Sequence, residues 1–230
     1  MPRSAPSATT RWCLVVPVKR LGLAKSRLIG PEVSAPLRER LALAFATDAV
    51  AAALAAAGTA GVLAVTDDPT AAKVLGGLGA LVVPDEPDAG LNAAFAFGAR
   101  IARREFGEEV GIVAAAADLP ALRSAELDAV LAHIAAGQPD KRHFIPDAHD
   151  IGTTMLFAPP GLELAPRFGG PSRAAHAAAG AVEIAGPDIS SLRRDVDTAE
   201  DLAAALALGV GLATTAVWEP HSIQRREAAP

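Results

Sequence analysis

The chain has 230 residues, 51% of them hydrophobic, and its 21 Lys and Arg against 26 Asp and Glu give a net charge of -5. That length suits a single α/β domain with a full core, and the acidic balance excludes general nucleic-acid binding, which needs a basic surface. A single cysteine, Cys13, excludes an internal disulfide and a cysteine-based zinc site and fits a reducing, cytoplasmic setting.

The first eleven residues, MPRSAPSATTR, contain no apolar run and read as a mobile tail rather than a secretory signal. Trp12–Val18 is a continuous β-rich run. The stretch from Ser34 to Gly58 has apolar residues at helical spacing, a candidate cap in Ser34, Pro36 in the first turn and Gly58 as a stop. Gly61–Thr66 is a second buried strand, followed by Asp67, Asp68 and a short helix. Ala80–Asp85 is a third strand, LNAAFAFGARIARREFG a helix ending near Gly107, and Gly111–Pro120 a fourth strand running into Asp118. The next helix begins at Ser124, a candidate cap, and carries Leu127, Val130, Leu131 and Ile134 on one face. Beyond Gly137 the pattern weakens: RHFIPD, TTMLFAPP and AVEIAG are short strand candidates, and a last helix starts at a Thr198 cap with Asp201 at its third position. Repeated β-α units predict a mostly parallel central sheet with helices on both faces. One domain over residues 12–217 is expected, with a second mobile tail at 218–230. The alanine-rich stretches are broken by charge or glycine, so no membrane span is expected.

In open α/β sheets, ligands sit outside the carboxyl ends of the strands. Here the first strand ends in a loop with Lys19, Arg20, Lys25 and Arg27, the second in Asp67 and Asp68, the third in Asp85 and the fourth in Asp118. Cations at one strand end and carboxylates at others suit a phosphate chain with a metal ion, since Mg²⁺ is usually held by one or two carboxylates and phosphate oxygens. Asp195 and Asp197 are two apart, so in extended backbone they face the same way and repel unless a cation lies between them. The alternatives are structural: Asp118 could cap a turn, and Asp197 could cap the last helix in competition with Thr198. Gly169, Gly170 and Ser172 could form an anion nest, and Gly152–Thr154 offers a hydroxyl pair beside a glycine. His176 is open between a ligand, a phosphate contact and a helix-face residue, while His133, His143, His149 and His221 show no ligand spacing. No HExxH, GxSxG or Walker motif is present, so nucleophilic hydrolysis is not supported.

Taken in order, VPVKRLGLAKSRL, GLNAA, AADLPAL, GTTML, RFGGPSRAAH and DVDTAEDL resemble the guanylyltransferases of coenzyme F420 biosynthesis, called CofC in archaea and FbiD in actinobacteria. The resemblance runs from about Leu14 to about Gly211. It implies a single-domain nucleotidyltransferase fold of the glycosyltransferase-A type and transfer of GMP from GTP to a phosphorylated three-carbon acid, with release of pyrophosphate. The acid is expected to be phosphoenolpyruvate, with 2-phospho-L-lactate as the alternative, because the VKRLGLAKSRL and DVDTAEDLAAALALGVG stretches look most like actinobacterial members. Carried over by position, the resemblance implies Mg²⁺ as cofactor, with Asp118, Asp195 and Asp197 as its ligands. It matches Lys19 and Lys25 to the family's basic loop, and with Arg27 these cations would offset charge on the triphosphate and the leaving pyrophosphate. Thr154, Gly169 and Ser172 would hold the acid, with main-chain N–H groups contributing, and Gly90, Leu91 and Asn92 would lie at the base. Partners are then GTP and the acid, with a homodimer and a downstream Fo-transferring enzyme as further candidates, and neither nucleic acid nor membrane. A sugar-phosphate or molybdopterin-type nucleotidyltransferase is the rival reading. The GxGTR loop of the sugar enzymes is replaced here by KRLGLAKSR, which weighs against it. A non-catalytic nucleotide-binding protein is the second rival.

Overall fold

The computed structural model describes residues 10–23, 28, 33–86, 88–185 and 188–228. The first strand, β1 (Trp12–Pro17), sends alternate side chains to opposite faces. Trp12, Leu14 and Val16 enter one core cluster and Cys13 and Val15 another. A strand covered on both faces must read this way, as an unbroken apolar run. The remaining strands are β2 (Thr59–Val65), β3 (Leu81–Val83), β4 (Gly111–Ala115), β5 (His143–Pro146), β6 (Thr153–Ala158) and β7 (Val182–Glu183). They form one sheet in the order β3-β2-β1-β4-β6-β5-β7. β1 to β4 are parallel, β6 is antiparallel to both β4 and β5, and β7 is parallel to β5. The expected mostly parallel sheet is thus present, with one reversed strand.

On one face lie α1 (Ala35–Ala55), α2 (Pro69–Gly77), α4 (Ser124–Ala136) and α6 (Ser190–Arg193), which share a core with the β1 residues Trp12, Leu14 and Val16. On the other, α3 (Leu91–Phe106) packs so closely that a Cβ at Gly98 would sit 2.4 Å from Val15 Cγ1. Only glycine permits that approach. A third cluster joins α1 to the C-terminal helices α7 (Ala199–Leu208) and α8 (Leu212–Ala228). It buries Leu37, Leu41, Phe45, Val196 and Leu202, with Trp218 packed against it. Full burial of a side chain such as Phe45 contributes roughly 1.5–3 kcal/mol.

Local expectations fare unevenly. The Ser34 hydroxyl does accept from Leu37 N, but α1 stops at Ala55 rather than reaching Gly58. Ser124 is the first residue of α4 and not its cap, which is Arg123 with no side-chain hydrogen bond. Asp68 is the cap of α2, its carboxylate accepting from Thr70 N, Ala71 N and Leu21 N. Those bonds outweigh its partial burial and hold its pKa below the usual carboxylate range. Thr198 and Asp201 form a reciprocal capping box on α7. Where a tail was expected from residue 218, the backbone is helical to Ala228. That helix is capped from a distance: Asp48, on α1, accepts from Ala213 N at 2.9 Å and Thr214 N at 2.8 Å. Among the described residues, no helix is long and apolar enough to cross a membrane.

Candidate active site

In the strand order, β1 and β4 are neighbours whose crossovers leave in opposite directions, so their carboxyl ends frame the crevice where such sheets bind ligands. A cavity of about 820 Å³ opens there. Pro17, Val18 and Lys19 line it from the end of β1, and Ala115 to Asp118 from the end of β4. Lys19 is exposed on this lip. Lys25 and Arg27, the other expected cations, lie outside the described residues.

The segment between α6 and α7 adds to the lining. Val196 N donates to the Asp118 carbonyl at 3.1 Å, which binds this segment to the end of β4. Val196 is fully buried in the third core cluster, while Asp195 and Asp197 on either side of it line the cavity together with Asp118. Capping of α7 falls to Thr198 and Asp201, not to Asp197.

The β5–β6 connection supplies a second set that spacing in the sequence did not reveal. Asp147 folds the turn, accepting from Ile151 N at 2.9 Å and Gly152 N at 2.7 Å. A Cβ on Gly152 would lie 2.5 Å from Asp147 Oδ2, so a larger residue there would displace the carboxylate that folds the turn. Arg193 pins the turn from α6, donating to the Asp147 carbonyl at 2.7 Å and to Asp150 Oδ1 at 2.6 Å. His149, carried by this turn, meets Asp201 at 2.8 Å and lines the cavity. That hydrogen bond and charge raise the His149 pKa above its ordinary value. Burial works to raise the Asp201 pKa, but bonds from His149 and Thr198 prevail and lower it.

The expected acid and base contacts divide. Gly169, Gly170 and Ser172 line the cavity, both glycines with positive φ, and Leu91 lines it from the start of α3. Thr154 does not line it. Its side chain is fully buried and its hydroxyl donates to the Leu192 carbonyl at 2.7 Å. The register between β5 and β6 shifts at this point, with Ile145 opposite Met155 and Pro146 opposite Thr153. Thr154 is the extra residue of a bulge, a device common beside active sites. The cavity-lining threonine is Thr153, and any part for Thr154 would run through its main chain. The Asn92 amide is bonded to the Phe168 backbone, donating to the carbonyl at 2.9 Å and accepting from the N–H at 2.7 Å. Gly90 caps α3 with φ of 91° and is not part of the cavity wall. His176 is a buried link between elements, with the Arg167 N–H donating to Nε2 at 3.0 Å and Nδ1 lying 2.9 Å from Thr153 Oγ1.

The comparisons with known proteins agree with this architecture. The chain is 54% identical over 210 residues to the phosphoenolpyruvate guanylyltransferase of Thermomonospora curvata, covering 91% of this chain and 90% of that one. It is 55% identical over 207 residues to the enzyme of the same name from Streptomyces coelicolor, covering 90% and 95%. The chain belongs to the phosphoenolpyruvate guanylyltransferase family. It is therefore a nucleotidyltransferase. No family model matches the chain. Among solved structures, a protein of Desulfovibrio desulfuricans assigned to the nucleotide-diphospho-sugar transferases superposes with a TM-score of 0.67 at 16% identity, covering 95% of this chain and 98% of that one. A cytidylyltransferase from Leptospira borgpetersenii gives 0.54 at 14% identity, covering 95% and 96%. At such identities these likenesses establish the nucleotidyltransferase fold.

The donor chemistry of the cavity suits a hard divalent cation. Asp118, Asp147, Asp195, Asp197 and Asp201 all line it, and all their side-chain donors are oxygens. An anionic substrate could approach so many carboxylates only with cations in between. Among the described residues, however, no three His, Cys, Asp or Glu side chains converge into a preformed metal cage. The three aspartates expected as ligands share one cavity without converging into such a cage. Mg²⁺ tolerates this, because it keeps waters and completes its shell with substrate phosphate oxygens.

Proposed function

We propose that the protein transfers GMP from GTP to phosphoenolpyruvate, with 2-phospho-L-lactate as the alternative acid, in coenzyme F420 biosynthesis. A phosphate oxygen of the acid attacks the α-phosphorus of GTP in line. A new P–O–P bond forms, the α–β bridge breaks and pyrophosphate leaves. The attacking oxygen is already ionised at neutral pH, so the reaction needs no general base. This is consistent with His176, the buried histidine of the site, having both ring nitrogens engaged by protein groups. Catalysis then rests on positioning and on cancelling charge.

The observation that carries this reading is that Lys19, Asp118, Asp195 and Asp197 line one cavity, in a chain more than half identical to enzymes of that name. Lys19, with Lys25 and Arg27, would offset charge on the triphosphate and the departing pyrophosphate. Leu91 would border the base, with Gly90 setting the start of α3 and Asn92 acting through its hold on Phe168. Gly169, Ser172 and the main chain at Thr154 would receive the acid. Asp118, Asp195 and Asp197 would hold Mg²⁺, which when bound supplies positive charge to the phosphates.

The test is pyrophosphate release from GTP paired in turn with phosphoenolpyruvate, 2-phospho-L-lactate, 3-phosphoglycerate and a sugar phosphate, with and without Mg²⁺. Release is expected with phosphoenolpyruvate, abolished by chelation and reduced about a hundredfold or more by Asp118→Ala, Asp195→Ala or Asp197→Ala. Release with the sugar phosphate alone would overturn the reading.

A further inference from the structure

His176 and Thr153 form a pair that the reaction outlined above does not yet use. His176 is buried, 1% exposed, and stands on α5 (Ser172–Ala178), one turn beyond Ser172. Its surroundings are the rings of Phe168, 5.0 Å away and edge-on, and Phe144, at 5.9 Å. Its two nitrogens face different partners. Nε2 lies 3.0 Å from the Arg167 N–H, a group that can only donate, so Nε2 must be the acceptor. A neutral ring then carries its proton on Nδ1, and Nδ1–H donates to Thr153 Oγ1 at 2.9 Å. Burial, reinforced by the nearby Arg167 charge, keeps the ring neutral by depressing its pKa to about 4, against a smaller opposing pull from the Ser172 backbone.

The direction of this bond has a consequence for Thr153. A hydroxyl has one proton and two lone pairs. One lone pair is occupied by His176, and a ring nitrogen that already bears a proton cannot accept from the hydroxyl. Among the described residues His176 is the only side chain bonded to Thr153 Oγ1. Thr153 is nearly buried and lines the cavity alongside Gly169, Gly170 and Ser172. Arg173 N, in the first turn of α5, donates to the Ile151 carbonyl at 3.1 Å and so holds that turn against the strand entrance. The same His176 ring, through Nε2, fixes the residue two before Gly169.

We propose that the Thr153 hydroxyl donates its proton to the anionic group of the phosphorylated acid, and that His176 is the positioning residue that turns this proton away from the ring and toward the cavity while fixing the Gly169–Gly170 turn beside it. A hydroxyl proton that cannot go to the ring is left for the cavity, and an ionised phosphate or carboxylate oxygen is the strongest acceptor for it there. The inference rests on the acid-binding reading of this cavity and adds two residues to it.

Steady-state kinetics and nitrogen-15 NMR of histidine-labelled protein test it together. Thr153→Val, close in shape, is expected to raise KM for phosphoenolpyruvate about tenfold to a hundredfold while leaving KM for GTP within about twofold. Thr153→Ser restores most of the loss. His176→Phe raises the same KM at least as much, and adding Thr153→Val to it brings no further loss, because the two act as one unit. The NMR spectrum of the wild-type protein shows His176 as the Nδ1–H tautomer. That readout requires no substrate, and titration with inorganic phosphate repeats the Thr153→Val comparison without turnover. Failure of the acid assignment therefore appears as absent wild-type turnover with these two results intact. An Nε2–H tautomer, or Thr153→Val and His176→Phe proteins that lose melting temperature without separating the two KM values, would overturn the inference.

Discussion

At the scale of single residues, burial decides which polar groups serve the site and which serve the fold. Thr153 and Thr154 are neighbours in sequence with the same side chain, yet one lines the cavity and the other bonds a buried carbonyl. Adjacent strand residues face opposite sides, so a sequence that shows both threonines reveals only that one of them faces the crevice. That Asp118, Asp195 and Asp197 would share one cavity could be read from a carboxylate at a strand end and a second pair two residues apart. His149 was not legible, because its partner Asp201 lies 52 positions away and was read only as part of a cap. His176 supports a prediction at this scale. Burial lowers its pKa from the ordinary 6.5 to about 4 in the folded protein. Between those values the unfolded chain takes up a proton that the folded chain refuses, so stability falls as pH is lowered through that window and is untouched by this group above it. Urea unfolding at stepped pH is expected to show that loss, and His176→Phe is expected to flatten it. An equally steep loss in the variant would assign the effect to other groups.

At the scale of elements, local signals were reliable where a helix or strand carries its own punctuation and weak where a distant residue supplies it. The cap at Ser34, the capping box of Thr198 and Asp201, and the buried run of β1 are all visible in short windows of sequence. The helix α8 is not, because its first turn is satisfied by Asp48, 165 positions from Ala213. Asp48 is 8% exposed, and a Cβ on Gly211 would lie 2.4 Å from its carboxylate, so helix and cap are fitted to each other. Asp48→Ala leaves two backbone N–H groups without that acceptor and is expected to cost about 1–3 kcal/mol. Part of that loss should appear as faster amide exchange at Ala213 and Thr214, measured by hydrogen–deuterium exchange. Unchanged exchange at those two amides would mean that α8 does not depend on this cap.

At the scale of the whole molecule, the order of the sheet explains the site. The β-α alternation made the parallel half predictable, and right-handed crossovers then put every loop after a strand at one edge. The reversed strand β6 follows from no short pattern, since it depends on β5 being placed beyond it, yet it delivers Thr153 to the same crevice as Lys19 and Asp118. The bond from Val196 N to the Asp118 carbonyl closes the arrangement by bringing the far end of the chain to the end of β4. The cavity thus combines several carboxylates with Lys19, a lining that suits the two phosphorylated reactants of the proposed reaction. The central claim is that a phosphate oxygen of the three-carbon acid attacks the α-phosphorus of GTP, and phosphorus-31 NMR of the reaction with Mg²⁺ and phosphoenolpyruvate tests it most directly. The account predicts two coupled resonances of a new unsymmetrical diphosphate, appearing in step with pyrophosphate. Consumption of GTP to GMP or GDP with the phosphoenolpyruvate resonance unchanged would contradict it.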